Sequence, residues 1–364
     1  MATRQDPRAF RNDPAFNNVA ASVNIELGID TFGDVTAGPD GTLLPHAHVV
    51  RNVVAEAVLA DQVGLDFIGV GEHHRDDFAI SSPEMVLAGI ATRTERIRLG
   101  SAVTVLSSDD PVRVFERFAT LDALSNGRAE VILGRGSFTE SFPLFGYELS
   151  DYEELFEEKL AMWTELNGPH PVSWQGKLTQ SLDAVTLYPP PEHGPIPTWI
   201  AVGGSPQSVV RAAHHGLDLM LAIIGGPVDR FAPFADLHRR ALEQFGKPAG
   251  RVGFHSFGHI AETDALAQEQ FYEPWLAITG RIGRERGWPP PSRAQFEHEL
   301  EHGSMVVGSP ETAARKIAAG LRSLGADRFD LKVSTGPLSH EHLMSSIELY
   351  GTKVAPLVRE ELAG

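Results

Sequence analysis

The 364-residue sequence contains no cysteine, which excludes disulfides, thiolate metal sites and cysteine nucleophiles. No stretch approaches the roughly 18 apolar residues of a membrane-spanning helix. Basic clusters are missing too: 31 Lys and Arg stand against 48 Asp and Glu, for a formal net charge of −17. A chain of that charge is a poor partner for nucleic acid or an anionic membrane surface. The first twenty residues are polar and lack the continuous apolar core of a signal peptide. They read as a flexible N-terminal arm, 1–20, on a cytoplasmic protein.

What the chain does have is alternation. "ASVNIELGID", "LDFIGVGE", "IRLGSAVTVL" and "RAEVILGRG" are apolar strand-like runs, each followed by a segment of helical periodicity. "TWIAVGG", "LDLMLAIIGG", "RVGFHSFGHIAE" and "ADRFDLKVSTG" continue the pattern to eight. Strands apolar almost throughout imply a parallel sheet covered on both faces. Eight βα units close into a TIM barrel, and the count disfavours an open doubly wound sheet. The fold class expected is therefore α/β, a (β/α)8 TIM barrel with insertions after strand 4 and after helix 7. Residues 21–364 read as a single domain.

In such a barrel, polar residues at the carboxyl ends of strands face the active site. Glu72, His73 and His74 sit at the end of the second strand. A solvated turn is the plain alternative. A metal site is disfavoured, because adjacent residues rarely converge on one ion and only Asp76 and Asp77 lie nearby. "HELEH", His298 to His302, matches the zinc-protease pattern H-E-x-x-H. It is acidic, however, ends at Gly303 and lacks a third ligand at the metzincin spacing, so it reads as a solvated helix and no metal is expected.

"AVGGSPQSVV" ends a strand on Gly203-Gly204 and enters a helix through Ser205-Pro206. Free backbone N–H groups and the positive helix end suit an anion there. "LGRGSF" places Arg135 at the same barrel face, where it can clamp an anion or pair with Glu72. Arg135 with Gly204-Ser205 is the anion pocket these spacings favour.

Taken together, "VGEHH", the block from Ile97 to Leu160, "WIAVGGSPQSVVRAAHHG" and "MVVGSPETAARKI" resemble the bacterial luciferase-like flavin-dependent monooxygenase family. The likeness runs from about Ser22 to the end. It implies a TIM barrel binding FMN or, in one branch, the deazaflavin F420, at the carboxyl end of the strands. By position, Arg135, Gly203, Gly204, Ser205 and Ser208 would hold the flavin phosphate. His73 would be the catalytic histidine, and Glu72 part of the same pocket, hydrogen-bonded to Arg135. A non-proline cis peptide would fall at Ala102-Val103, against the flavin ring. The family's luciferase α chain has a cysteine where this chain has Gly134, so neither long-chain aldehyde specificity nor light emission is expected.

The activity implied is oxygenation of a small organic substrate by reduced FMN and O2 through a C4a-hydroperoxide. A separate NAD(P)H:flavin reductase would supply the reduced FMN, and the enzyme would be a homodimer. The "EHH" run favours FMN over F420. Hydride transfer with F420 or bound FMN is the first alternative, and a non-catalytic luciferase-like subunit the second. Candidate lids are the segment from about Gly168 to Pro197 and the loop from Trp288 to Met305. Candidate pocket aromatics are Phe32, Phe78, Phe138, Phe142, Trp174 and Phe254.

Overall fold

In the computed structural model, residues 25–136 and 138–363 are described; the arm expected over 1–20 lies outside them. Eight strands form the barrel: β1 Glu26–Thr31, β2 Phe67–Val70, β3 Arg98–Ser101, β4 Ala129–Gly134, β5 Thr198–Val202, β6 Asp218–Ala222, β7 Val252–Ile260 and β8 Arg328–Lys332. Each pairs in parallel with the next. β8 returns to β1, with Ile29 opposite Leu331, and the sheet closes.

The principal helices are α1 His46–Gln62, α2 Pro83–Ala91, α3 Pro111–Ser125, α4 Tyr152–Leu166, α5 Pro206–His214, α6 Ala232–Gln244, α7 Asp264–Arg286, α8 Arg293–His302, α9 Pro310–Leu324 and α10 His340–Leu349. Their starts are written in the sequence. Asp110-Pro111, Ser205-Pro206 and Ser309-Pro310 each put a side-chain acceptor before a proline that lacks an N–H to satisfy. A π-helical turn, Tyr350–Val354, carries α10 into a last helix, Ala355–Ala363.

The strands alternate between two buried environments. Leu27, Ile29, Leu99 and Leu331 pack outward beneath the helices. Phe67, Ile132, Trp199 and Met220 form a separate cluster, with Ala102, Val103 and Ala201 against it. Apolar residues on both faces are what a fully covered parallel sheet requires.

Two insertions interrupt the repeat. The first carries an antiparallel hairpin, Val172–Trp174 with Leu182–Val185, and follows α4 rather than strand β4 directly. The second holds α8, after which a short strand, Val306–Gly308, pairs with the end of β7. That strand falls in "MVVG", which the alternation did not mark. The run "IRLGSAVTVL" is also broken rather than continuous. β3 stops at Ser101, a cis peptide joins Ala102 to Val103, and Thr104–Val105 then pair with Leu133–Gly134 of β4. Among the described residues, no helix is long and apolar enough to cross a membrane.

Candidate active site

A cavity of about 650 Å³ opens at the carboxyl end of the barrel. That volume lies within the range of cofactor and substrate pockets. The strands give it two unlike walls. Ala102 and Val103 beyond β3, Ile132 of β4, Ala201 of β5 and Met220 of β6 make an apolar wall. Asp30 of β1, His255 of β7, and Asp330 and Lys332 of β8 make a polar one.

The apolar wall is built around the cis peptide. Gly134 must be glycine here: a Cβ on it would come within 2.7 Å of the Val103 side chain. The cysteine of the luciferase α chain therefore has no room at this position. Glu72, at the end of β2, accepts a hydrogen bond from the Val105 N–H at 3.1 Å, two residues past the cis bond. Its other oxygen lies 2.9 Å from His74 Nε2. That hydrogen bond raises the His74 pKa above its ordinary value, against the opposing effect of burial.

His73 reaches the cavity inside a ring of phenylalanines. Its imidazole centroid is 4.9 Å from that of Phe32, 4.4 Å from Phe78 and 5.1 Å from Phe138. Its backbone N–H donates to the Ile80 carbonyl at 3.0 Å. Glu140 Oε1 stands 3.8 Å from Nδ1. The side chain is 10% exposed, so the loop and the aromatic ring fix a histidine that still meets the cavity.

Arg135 leaves β4 towards the first turn of α4. It pairs with Glu153, and Arg211 of α5 reaches the other oxygen of the same carboxylate at 3.2 Å. The expected hydrogen bond between Glu72 and Arg135 is therefore not formed. Glu72 is already held by Val105 and His74, while Glu153 offers Arg135 a nearer acceptor. Beside Arg211 lies the Gly203-Gly204-Ser205 turn. Gly204 has φ +120°, a conformation that L side chains rarely adopt. Around Gly203 there is nothing within 4 Å of a built Cβ. Ser205 Oγ accepts from Ser208 N–H at the start of α5, and Ser208 Oγ lies 3.4 Å from an Arg211 nitrogen. Two guanidinium groups, an open glycine turn and a helix N-terminus thus converge.

Glu72, His73, Ala102, Val103, Arg135 and Gly203 all line the cavity, and Gly204, Ser205 and Ser208 continue from Gly203 along the turn and helix. Of the aromatics, Phe32, Phe78 and Phe138 line it. Phe142 packs on Tyr152, Phe254 packs on Phe329, and Trp174 bonds to Thr179 in the hairpin, so these three do not. Trp288, Gln295, Glu299 and Met305 of the second insertion do line it, whereas no lining residue comes from 168–197. His298 and His302 lie on exposed α8, with ring centroids 4.9 Å apart. Among the described residues, no three His, Asp or Glu side chains cluster as a metal site would need.

The polar wall was not legible from residue spacing. Lys332 Nζ donates to Asp34 at 2.9 Å, and Ser334 Oγ bonds the same carboxylate at 2.5 Å. Burial alone would raise the Asp34 pKa, but Lys332, Ser334 and the Gly336 N–H hold it below the usual carboxylate value. His255 Nδ1 lies 3.0 Å from Asp30 Oδ2. The available signal was the period of two in "RFDLK", which turns Arg328, Asp330 and Lys332 to one face of a buried strand.

The profile of the luciferase-like monooxygenase family matches residues 27–328. The chain belongs to that family. The 4-hydroxyprotoasukamycin monooxygenase of Streptomyces nodosus subsp. asukaensis is 25% identical over 317 residues, 84% of this chain and 85% of the relative. The fold superimposes on the oxygenating constituent of 3,6-diketocamphane monooxygenase of Pseudomonas putida, a type II Baeyer–Villiger monooxygenase in complex with FMN. The TM-score is 0.75 at 18% identity, over 92% of this chain and 98% of that one. It also superimposes on the F420-dependent tetrahydromethanopterin reductase of Methanopyrus kandleri, with a TM-score of 0.64 at 16% identity, over 92% and 99%. Family membership places this chain among oxidoreductases acting on small molecules.

Proposed function

We propose that this luciferase-like monooxygenase family member uses reduced FMN and O2 to oxygenate a small organic substrate. The observation that carries the reading is the division of labour around one cavity. Arg135, Arg211 and the Gly203-Gly204-Ser205 turn fit a phosphate. The apolar wall at Ala102-Val103 fits a flat ring, and His73 stands in its phenylalanine ring at the same cavity. Reduced FMN, when bound, supplies the electrons that activate O2, so that one oxygen atom goes to the substrate and the other leaves as water.

The chain's own residues do the rest. His73 serves as the proton donor and acceptor at the reacting edge. Glu72 keeps the Val105 N–H, next to the cis peptide, in place. Arg75 ties the loop after β2 to α7 by donating to Glu285 at 2.9 and 2.6 Å. This holds the loop that carries His73 and His74 against α7. Similarity to the FMN-bound camphane enzyme supports FMN. The F420-dependent reductase supports a second reading, hydride transfer without oxygen insertion. A separate NAD(P)H:flavin reductase and a homodimer complete the proposal.

The test is anaerobic. The protein is loaded with reduced FMN, then mixed with oxygenated buffer while flavin reoxidation and H2O2 release are followed. Reoxidation delayed relative to free FMN supports the monooxygenase reading. Reoxidation as fast as free FMN, or preference for F420 over FMN, overturns it. His73→Ala is expected to bind FMN as the parent does and to lose substrate oxidation by roughly 10²–10⁴-fold.

A further inference from the structure

The chain has no cysteine, so its six methionines hold all of its sulfur. A methionine thioether that takes up one oxygen atom becomes a sulfoxide, a polar group in place of an apolar one. A dissolved oxidant reaches the most exposed thioether first. Among the described residues that is Met85 of α2, 74% exposed and not part of the cavity wall. Met162 and Met344 do not line the cavity either.

Met220 and Met305 combine two properties the others lack. They are nearly closed to solvent, 4% and 2% exposed, yet both line the cavity. Met305 comes from the second insertion and packs in a small core with Phe271, Trp275 and Phe296. Met220 belongs to the apolar wall, in the cluster with Phe67, Ile132 and Trp199. Its thioether lies in a space that a glycine leaves open. Gly253 stands opposite Met220 in the β6–β7 register, and a Cβ there would come within 2.8 Å of the Met220 methyl carbon and 3.2 Å of its sulfur. An oxidant from solvent meets these two sulfurs last. An oxidant formed inside the cavity meets them first.

We infer that Met220 is a site of self-oxygenation: when no organic substrate is bound, its sulfur takes the oxygen atom that the substrate would have taken. Met305 follows as the slower site, since it lies outside the wall assigned to the flat ring. The inference rests on the FMN reading of the cavity. The O–O bond of O2 breaks. One oxygen atom forms the S–O bond of the sulfoxide and takes two electrons from sulfur. The other takes two electrons and two hydrogens from reduced FMN and leaves as water. The sulfoxide puts an unpartnered polar oxygen on an apolar wall, so FMN affinity is expected to fall about tenfold. The idle enzyme thereby limits its own cycling.

The test uses the full-length protein loaded with reduced FMN and cycled with O2 in the absence of organic substrate. Catalase is present to destroy dissolved hydrogen peroxide, and the sulfoxide at each methionine is read by peptide mass spectrometry. Met220 sulfoxide is expected to rise with the number of flavin turnovers, ahead of Met305 and well ahead of Met85. The same protein holding oxidised FMN and treated with hydrogen peroxide should show the reverse order, Met85 first. Met220→Leu, a swap of similar volume, should slow the decline of FMN affinity over the cycles, each protein being compared with its own starting value. Met220 left unoxidised while flavin reoxidises on the protein, or oxidised only in step with Met85, overturns the inference and leaves the FMN reading standing. Failure of the parent protein to bind reduced FMN overturns both.

Discussion

Two charged clusters lie one above the other inside the barrel, and they are finished differently. In the lower one, Arg328 Nε donates to both Asp330 oxygens at 2.9 and 3.0 Å, and Nη2 adds a third bond at 2.8 Å. Its Nη1 pairs with Glu130, Arg98 stands 3.4 Å from the other Glu130 oxygen, and the guanidinium lies 3.4 Å over the Phe67 ring. In the upper one, His255 and Asp30 share one contact and each keeps an atom unmatched. Similar residue types thus serve two ends. The Arg328 cluster ties β4 and β8 together through several bonds, although Glu130 Oε2 has no hydrogen-bond partner, whereas the His255–Asp30 pair is joined by one contact and faces the cavity.

The sharpest way to break this contrast is Arg328→Leu. It strands the buried Glu130 and Asp330 and is expected to cost about 3–5 kcal/mol in urea unfolding. A loss below about 1 kcal/mol would mean the lower cluster is not structural. Next in size is Arg135→Leu. On the proposed reading it removes a phosphate contact worth about 1.5–3 kcal/mol, a roughly ten- to hundredfold weakening of FMN binding, read by quenching of flavin fluorescence. Stability should barely move, because the pair's carboxylate, Glu153, is largely exposed. Unchanged affinity would remove Arg135 from the site.

The smallest effect concerns His74 and Glu72. The folded-state pKa of His74 is raised, so the pair's contribution is fully present below the unfolded value near 6.5 and is lost as pH climbs through the folded value. The difference in unfolding free energy between the parent and Glu72→Gln should shrink over that window, by less than about 1 kcal/mol. A difference that grows with pH would reverse the assignment of which partner carries the charge.

How much of this was legible beforehand depends on sequence distance. The barrel was, because each βα unit is local and its apolar strands repeat eight times, several of its helices opening on a proline. The place of His73, Arg135 and Gly203 on the cavity wall was, because residues at the ends of barrel strands face the same mouth whatever the rest of the chain does. The cis peptide at Ala102-Val103 came from family resemblance; composition alone offers no sign of it. The partner of Arg135 was misjudged because the side chain chose between carboxylates at 72 and 153, and only the packing of α4 beside β4 settles that choice. The Asp30–His255 contact was out of reach, since it exists only once β8 has closed against both β1 and β7.

Glu153 has a consequence for how any anion gets in. Its single carboxylate bridges Arg135 and Arg211, two cations that would otherwise repel across the mouth of the glycine turn. It is a tenant already in the seat. An arriving phosphate does not fall into an attractive well so much as displace an occupant, and Glu153 stands at the solvent edge of α4 with somewhere to go. On the proposed reading, entry and departure of a phosphate are an exchange of one anion for another, with the two arginines handed over rather than exposed.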